Sequence, residues 1–150
     1  MSSSDTNDLA HGHGSRKPVR TLVVDDSPMA VGAIRVLLEH HREIEFVGFA
    51  GDGEEGVLRA EELHPDLILM DLQMPKLDGL SAIKLIRNRL PDVRTIVITV
   101  NHGKEVIHAC MRSGADGVVM KDRLYQDLIP EIQRVLAAND CGQDLPSIRR

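Results

Sequence analysis

The sequence predicts an α/β fold in which a five-stranded parallel sheet is covered by helices on both faces. Five short apolar runs rich in valine, isoleucine and leucine alternate with five segments whose apolar residues recur every three or four positions. Continuous aliphatic runs are typical of strands buried on both faces, and parallel strands need helical crossovers between them. With 150 residues and 42% hydrophobic content, the chain has enough apolar material for one core.

The five predicted strands are short, as strands in small sheets usually are. In chain order they span Val19–Val24, Glu45–Ala50, Leu67–Met70, Thr95–Ile98 and Gly117–Met120. All but the second are followed directly by polar residues that can bind a cation or an anion, namely Asp25 and Asp26, Asp71, Thr99 and Lys121. Parallel strands point the same way, so these four ends should meet at the edge of the sheet where such folds bind ligands.

The segments after the strands each carry one apolar stripe, which is the pattern of a helix that packs against a sheet. The stripes consist of Ile34, Leu37 and Leu38; Val57, Ala60 and Leu63; Leu80, Ile83 and Ile86; Val106, Ile107 and Cys110; and Leu128, Ile132, Val135 and Leu136. The first helix should begin at Pro28, and Asp25 or Asp26 could cap it. The third should begin near Gly79, with Asp78 as its cap.

Both ends of the chain lack an apolar pattern. Residues 1–17 are rich in Ser, Gly, Asp and His and should be disordered. His11 and His13 could hold a transition metal, but a solvated tail is the favoured interpretation, because two histidines without a third ligand bind metal weakly. Residues 139–150 should be a tail or the start of a linker, so the folded domain is predicted to span residues 18–138.

Charge and composition exclude several classes of function. The net charge of -5 without a basic stripe argues against direct binding of DNA or of an anionic membrane by residues 1–150. Cys110 and Cys141 have no metal-ligand or redox spacing and should be reduced. No apolar stretch approaches the roughly 20 residues of a membrane span, and the N-terminus lacks the apolar core of a signal peptide. We therefore expect a cytoplasmic protein.

The acidic residues at two strand ends predict a metal site. Asp25 and Asp26 follow the first strand and Asp71 follows the third. Three carboxylates held together repel one another and lose hydration, so they are seldom gathered without a cation. Oxygen ligands without Cys or His favour Mg²⁺ or Mn²⁺ over Zn²⁺, and Mg²⁺ readily accepts a phosphate oxygen as well.

The residues at the other two strand ends predict a phosphoryl site beside the metal. The hydroxyl of Thr99 and the compact ammonium of Lys121 can each take one oxygen of a phosphoryl group. Asp71 is then the plausible nucleophile, because a carboxylate can form an aspartyl phosphate when a metal screens its charge. Taken singly, these residues could be a turn residue, a strand-end hydroxyl and a solvated charge. Their joint occurrence favours a site, since fold stability does not require it.

With these motifs the chain resembles the receiver domain of two-component response regulators. The resemblance runs from Val19 to Ala138, and its motifs match in order and spacing. They are Val24-Asp25-Asp26-Ser27, Met70-Asp71-Leu72-Gln73-Met74-Pro75, Asp78-Gly79, Ile98-Thr99 and Met120-Lys121. The resemblance implies a flavodoxin-like, doubly wound sheet with strand order 2-1-3-4-5 and five helices.

The resemblance also implies a role for each site residue. Asp71 would accept a phosphoryl group from a histidine on a sensor kinase or phosphotransfer protein. Mg²⁺ would be bound directly by Asp26, Asp71 and the carbonyl of Gln73, and by Asp25 through water. The hydroxyl and the ammonium at the last two strand ends would hold phosphoryl oxygens. The protein would thus be a switch that catalyses only its own phosphorylation and dephosphorylation, signalling through the face of the fourth helix, fifth strand and fifth helix.

Three positions depart from the usual pattern of this family. Val100 stands where a small residue is usual, which predicts hindered access to the site and a long-lived phosphoryl group. Val118 stands where many receivers have an aromatic residue, so the switch should be weaker or differently built. The pair Lys121-Asp122 replaces a frequent Lys-Pro pair, and this variation resembles the NarL/LuxR-type subgroup, whose receivers precede helix-turn-helix domains.

The resemblance leaves the output open. The chain is either a stand-alone receiver or the receiver part of a helix-turn-helix transcription regulator, and both interpretations carry equal weight. Exposed residues of the last two helices, including Met111, Arg112 and Tyr125, could pair with a second receiver or an effector. A solvated face is equally consistent with them.

Two other classes of protein share parts of this pattern. A haloacid dehalogenase-type phosphatase also uses Mg²⁺ and an Asp nucleophile, but places that Asp after the first strand with a second Asp two residues on. Here Asp25-Asp26 are followed by Ser27-Pro28. A flavin-binding protein would need aromatic residues around the ring, and the chain has one Tyr, two Phe and no Trp. Steady turnover of a phosphomonoester would favour the phosphatase, and yellow purified protein the flavin protein.

Overall fold

The structure is a computed structural model that describes residues 17–74 and 76–142. The strands are β1 (Val19–Val24), β2 (Ile44–Ala50), β3 (Leu67–Asp71), β4 (Arg94–Thr99) and β5 (Gly117–Met120). The helices are α1 (Pro28–Glu39), α2 (Gly53–Leu63), α3 (Gly79–Arg89), α4 (Lys104–Ser113) and α5 (Leu124–Gly142), with a short 3₁₀ turn at Lys121–Arg123. Each strand agrees with its predicted bounds to within one residue at either end.

All strand pairs are parallel, and the sheet order is β2-β1-β3-β4-β5. This confirms the predicted flavodoxin-like order. The register pairs Val24 with Met70, so the residues that follow them, Asp25 and Asp71, are neighbours at the carboxyl edge. Thr99 pairs with Met120, which places the last residue of β4 beside the end of β5. The four polar strand ends therefore stand on adjacent strands.

Apolar residues fill both faces of the sheet, because successive residues of each buried strand point to opposite faces. One face packs Leu22, Ile68 and Val97 against α2, α3 and α4. The other packs Val23 and Leu69 against α1 and α5. Most residues of the predicted stripes are buried in these two clusters, which confirms the doubly wound architecture. Cys110 lies in the first cluster, where burial raises the pKa of its thiol, so it acts as a core residue.

The last helix is longer than predicted. It continues to Gly142, four residues past the expected end at Ala138. Asn and Asp only mildly disfavour helix, so the residues after Ala138 do not stop it. Residues 1–16 and 143–150 lie outside the described residues, and the expectations for the tails, including His11 and His13, stay predictions. None of the helices in the described part of the chain is long and apolar enough to cross a membrane.

Candidate functional site

Three carboxylates gather at the carboxyl edge of the sheet. Asp25 and Asp26 come directly after β1, and Asp71 is the last residue of the neighbouring β3. One oxygen from each of the three lies within 4.8 Å of the others. Asp25 and Asp71 are only 3% and 7% exposed, whereas Asp26 is open to solvent. The structure thus brings together the acidic residues that the sequence singled out.

Backbone contacts hold Asp25 in the cluster. Its N–H donates to the carbonyl of Ala50 on β2 at 2.9 Å, and its Oδ1 accepts from the N–H of Ser27 at 2.9 Å. Ser27, not either aspartate, is the N-cap of α1, because its Oγ accepts from the N–H of Ala30 at 3.2 Å. The interpretation of Asp25 or Asp26 as the helix cap is therefore wrong, and both carboxylates face the site instead.

Lys121 joins two of the carboxylates. It is the first residue after β5, and its Nζ lies 3.1 Å from Oδ2 of Asp25 and 3.5 Å from Oδ1 of Asp71. The lysine side chain is 28% exposed, so water screens these contacts only in part. One ammonium thus faces three carboxylates, and the site keeps an excess of negative charge.

The ionisation of the site reflects this crowding. Burial raises the pKa of Asp71, the charge of Asp25 raises it further, and Lys121 and the Gln73 backbone oppose these effects without cancelling them. Burial acts to lower the pKa of Lys121, but hydrogen bonding and the charges of Asp25 and Asp71 outweigh it, so that pKa is raised. Both shifts favour the proton-bound forms, as expected for buried carboxylates that repel one another around one ammonium.

A cleft of about 240 Å³ opens above the carboxylates. It is lined by Asp26, Asp71, Gln73, Thr99, Val100 and Lys121. The Oγ1 of Thr99 accepts from the N–H of Asn101 at 3.1 Å, which leaves the hydroxyl proton available to a ligand. Val100 is 61% exposed at the edge of the cleft, as expected from the sequence. Asp25 does not itself line the cleft, but its carboxylate contacts Lys121, which does.

The donor set fits Mg²⁺. Asp25, Asp26 and Asp71 offer only hard carboxylate oxygens, and the backbone carbonyl of Gln73 belongs to a residue that lines the same cleft. Mg²⁺ prefers such oxygens and retains waters, and this cleft leaves room for both water and a phosphate oxygen. A divalent cation would also offset the excess negative charge around the single ammonium.

Two features of the loop between β3 and α3 were not apparent from the sequence. The N–H of Gly79 donates to the carbonyl of Leu72 at 3.0 Å and closes the base of the loop, beside the predicted Asp78 cap of α3. Gly79 has no space for a side chain, since a Cβ there would lie 2.7 Å from the Cα of Leu72. Lys76, further along the loop, has a φ of 67°. The Asp-Gly pair signals a helix start, but sequence alone does not reveal close backbone packing.

The other residues that the sequence singled out lie on β5 and on the elements next to it. Val118 is partly buried and packs against the cluster under α2, α3 and α4. Asp122, next to Lys121, lies with its Oδ2 3.3 Å from Nε2 of His102, in the segment that follows Thr99. Met111 and Tyr125 are 45% and 70% exposed.

Comparison with known proteins agrees with this geometry. The family model described as the response regulator receiver domain matches residues 21–133. The nitrate/nitrite response regulator protein NarL of Escherichia coli is 34% identical over 123 residues, which make up 82% of this chain and 57% of NarL. This chain therefore spans just over half the length of that relative.

Solved structures resemble the whole sheet and its helices. The response regulator domain of Thermotoga maritima CheB matches with a TM-score of 0.76 and 30% identity, over 81% of this chain and 98% of that chain. A LuxR-family two-component response regulator from Aurantimonas sp. matches with a TM-score of 0.77 and 28% identity, over 89% of this chain and 99% of that chain. The strand order, the family model and the identity to NarL together show that this chain belongs to the response regulator receiver domain family.

Proposed function

We propose that this chain is a phosphorylation-dependent signalling switch, in which Asp71 accepts a phosphoryl group from a sensor histidine kinase or a phosphotransfer protein. The observation that carries the proposal is the shared cleft, which places a buried carboxylate beside a hydroxyl and an ammonium. In a haloacid dehalogenase-type phosphatase the nucleophile would follow the first strand. Here Asp71, the carboxylate that lines the cleft beside Lys121, is the last residue of β3.

The proposed reaction is a transfer between two protein side chains. An oxygen of Asp71 forms a bond to phosphorus while the bond from phosphorus to the donor's imidazole nitrogen breaks, and the imidazole keeps the electron pair. Lys121, already 3.5 Å from Asp71, would hold one phosphoryl oxygen, and Thr99 would donate its hydroxyl proton to another. Asp26, Asp71 and the Gln73 carbonyl would hold Mg²⁺ directly, and Asp25 through water. When bound, Mg²⁺ would supply charge that offsets the repulsion between the carboxylates and the phosphate.

Phosphorylation would reach the surface through Thr99. Its hydroxyl accepts from the N–H of Asn101, and the Oδ1 of Asn101 accepts from the N–H of Gly103, the residue before α4. A shift of Thr99 toward a phosphoryl oxygen would therefore disturb the segment that leads into α4. The face of α4, β5 and α5, with the exposed Met111 and Tyr125, would carry the signal to a second receiver or to an effector.

Intact mass spectrometry after incubation with acetyl phosphate tests the proposed function. We expect a gain of one phosphoryl group per chain when Mg²⁺ is present and no gain when it is removed by a chelator. Absence of the gain in both the wild type and Val100→Ala would contradict the proposal, because the variant removes the side chain that narrows the entrance to the cleft.

Val100→Ala is expected to shorten the lifetime of the phosphoryl group severalfold. Val100 lines the cleft and is 61% exposed, so it limits the approach of water to the phosphorus. The measurement is the decay of the phosphorylated mass after removal of the donor. Val36→Ala is the matched control, because Val36 is similarly exposed but lies on α1, outside the lining of the cleft. Equal decay rates for the wild type and Val100→Ala would contradict the predicted role of Val100.

We propose that the output is transcriptional and is carried by a separate helix-turn-helix domain. The similarity to NarL and to a LuxR-family regulator supports this choice over a stand-alone receiver. DNA would then be bound by the other domain, and the protein would act in the cytoplasm. The native gene sequence after Arg150 tests the proposal: a helix-turn-helix segment supports it, and a stop codon contradicts it.

A further inference from the structure

The loop between β3 and α3 carries Gln73 and forms one wall of the cleft. Its base is fixed, because the N–H of Gly79 donates to the carbonyl of Leu72 and Asp78 caps α3. Neither of these contacts reaches the outer turn of the loop at Lys76 and Leu77. Leu77, like Met74, is partly buried against the cluster under α2, α3 and α4, so neighbouring elements hold that turn.

One of these neighbours is the N-terminus of α2. Gly53, its first residue, is buried, and a Cβ built there would lie 2.7 Å from the carbonyl carbon of Leu77 and 2.9 Å from its Cβ. Such a Cβ would also collide with the Leu77 carbonyl oxygen. Glycine alone lets the backbone of α2 touch the backbone of the loop. Because backbone atoms cannot rotate away as a side chain can, any larger residue must force α2 and the loop apart.

A second contact joins the same two segments. Asp52 caps α2, with its Oδ1 accepting from the N–H of Glu55 at 2.8 Å, and its Oδ2 lies 3.8 Å from Nζ of Lys76. Lys76 has a φ of 67°, a left-handed conformation that is unfavourable for a non-glycine residue. Such strain persists only where surrounding contacts hold it. Asp52 contacts Lys76 itself, and Gly53 adjoins the next residue, Leu77.

We infer that Gly53 is a positioning residue for the phosphoacceptor cleft, because it lets α2 support the loop that carries the Gln73 carbonyl. The inference rests on the proposed function, in which that carbonyl binds Mg²⁺. Mg²⁺ demands near-ideal octahedral geometry, so a small outward shift of one ligand lowers its affinity. Gly53 touches neither the metal ligands nor the phosphoryl site and acts only through the loop.

Isothermal titration with Mg²⁺ tests this inference on the full chain. Gly53→Ala is expected to weaken Mg²⁺ binding about tenfold, as changes behind a metal ligand commonly do, and to slow phosphorylation by acetyl phosphate. Gly51→Ala is the matched control, because a Cβ at Gly51 would lie 3.8 Å from its nearest neighbour, the Oε1 of Glu55, which is an ordinary contact distance. The control should bind Mg²⁺ as the wild type does.

Lys76→Gly decides the question if Gly53→Ala does not fold. It removes the left-handed strain and the contact to Asp52 without any clash, so thermal stability should not fall while Mg²⁺ affinity falls severalfold. A purely structural role would change the melting temperature and leave Mg²⁺ affinity alone. Wild-type affinity in Lys76→Gly, or in a folded Gly53→Ala, overturns the inference. A wild type that neither binds Mg²⁺ nor gains a phosphoryl group overturns the proposed function itself.

Discussion

Asp71→Asn is expected to abolish the Mg²⁺-dependent gain of a phosphoryl group from acetyl phosphate. The amide has no negative charge and is a much poorer nucleophile than the carboxylate. It also removes one of the three acidic groups that gather at the site. Intact mass spectrometry under the conditions that phosphorylate the wild type measures the effect directly.

Asp78→Asn is the matched control for this substitution. Asp78 lies on the loop that follows Asp71 and is exposed, and asparagine caps a helix about as well as aspartate does. The control should gain the phosphoryl group as the wild type does. A full gain in Asp71→Asn would show that another residue accepts the phosphoryl group.

Asp71→Asn should also raise the melting temperature of the Mg²⁺-free protein at neutral pH. Burial and the charge of Asp25 raise the pKa of Asp71, so the folded protein binds this proton more tightly than the unfolded chain does. Stability therefore falls as the pH rises from the ordinary pKa of 3.8 through the raised pKa of the folded protein. The asparagine side chain carries no charge and avoids this loss. The melting temperatures of the wild type and Asp71→Asn should therefore differ less in acid.

Lys121→Met is expected to lower the free energy of unfolding by about 2 kcal/mol at neutral pH without Mg²⁺. Nζ of Lys121 lies 3.1 Å from Asp25 and 3.5 Å from Asp71, and both carboxylates are buried. Methionine fills similar space but leaves the carboxylates without their cation. Chemical denaturation measures the loss, and Lys84→Met, on the exposed side of α3, is the control for removal of one positive charge.

The loss of stability caused by Lys121→Met should be smaller in acid and at high pH than at neutral pH. The pKa of Lys121 is raised in the folded protein, so its contribution is complete below the ordinary value of 10.5 and disappears as the pH rises through the folded value. In acid, protonation of Asp71 removes one of the charges that the lysine balances. A loss that is the same at every pH would contradict the assignment of this stability to the ion pairs.

The same substitution should strengthen Mg²⁺ binding severalfold. The ammonium of Lys121 occupies oxygens of Asp25 and Asp71, two of the groups that would face the metal, and its charge repels a cation. Isothermal titration of Lys121→Met beside Lys84→Met measures the change. Weaker binding in Lys121→Met would show that the lysine supports the metal site and does not compete with it.

The fold and the charged part of the site were predictable because both depend on simple patterns. Continuous aliphatic runs mark buried parallel strands, and parallel strands bring their carboxyl ends to one edge. The sequence alone therefore predicts that Asp71, Thr99 and Lys121 lie close together. Their roles in phosphoryl transfer stay proposals.

The parts that could not be predicted depend on close packing between segments distant in sequence. Asp26 and Ser27 are both good helix caps, and only the turn after β1 decides that Ser27 caps α1. The support of the β3–α3 loop by Gly53 depends on a contact between two backbones, which leaves no apolar or charged signal in the sequence. The extension of α5 past Ala138 reflects residues that neither favour nor stop a helix strongly.

The site draws its groups from the ends of four adjacent strands, and the last of them, Lys121, comes after β5. During synthesis, the acidic residues emerge from the ribosome long before Lys121, which contacts two of them. A chain that is unfinished, or whose final strand has not yet docked, would hold the proposed nucleophile Asp71 without the ammonium proposed to bind a phosphoryl oxygen. Phosphorylation would then occur only on finished, folded molecules, and a truncated regulator would stay silent whatever its kinase does.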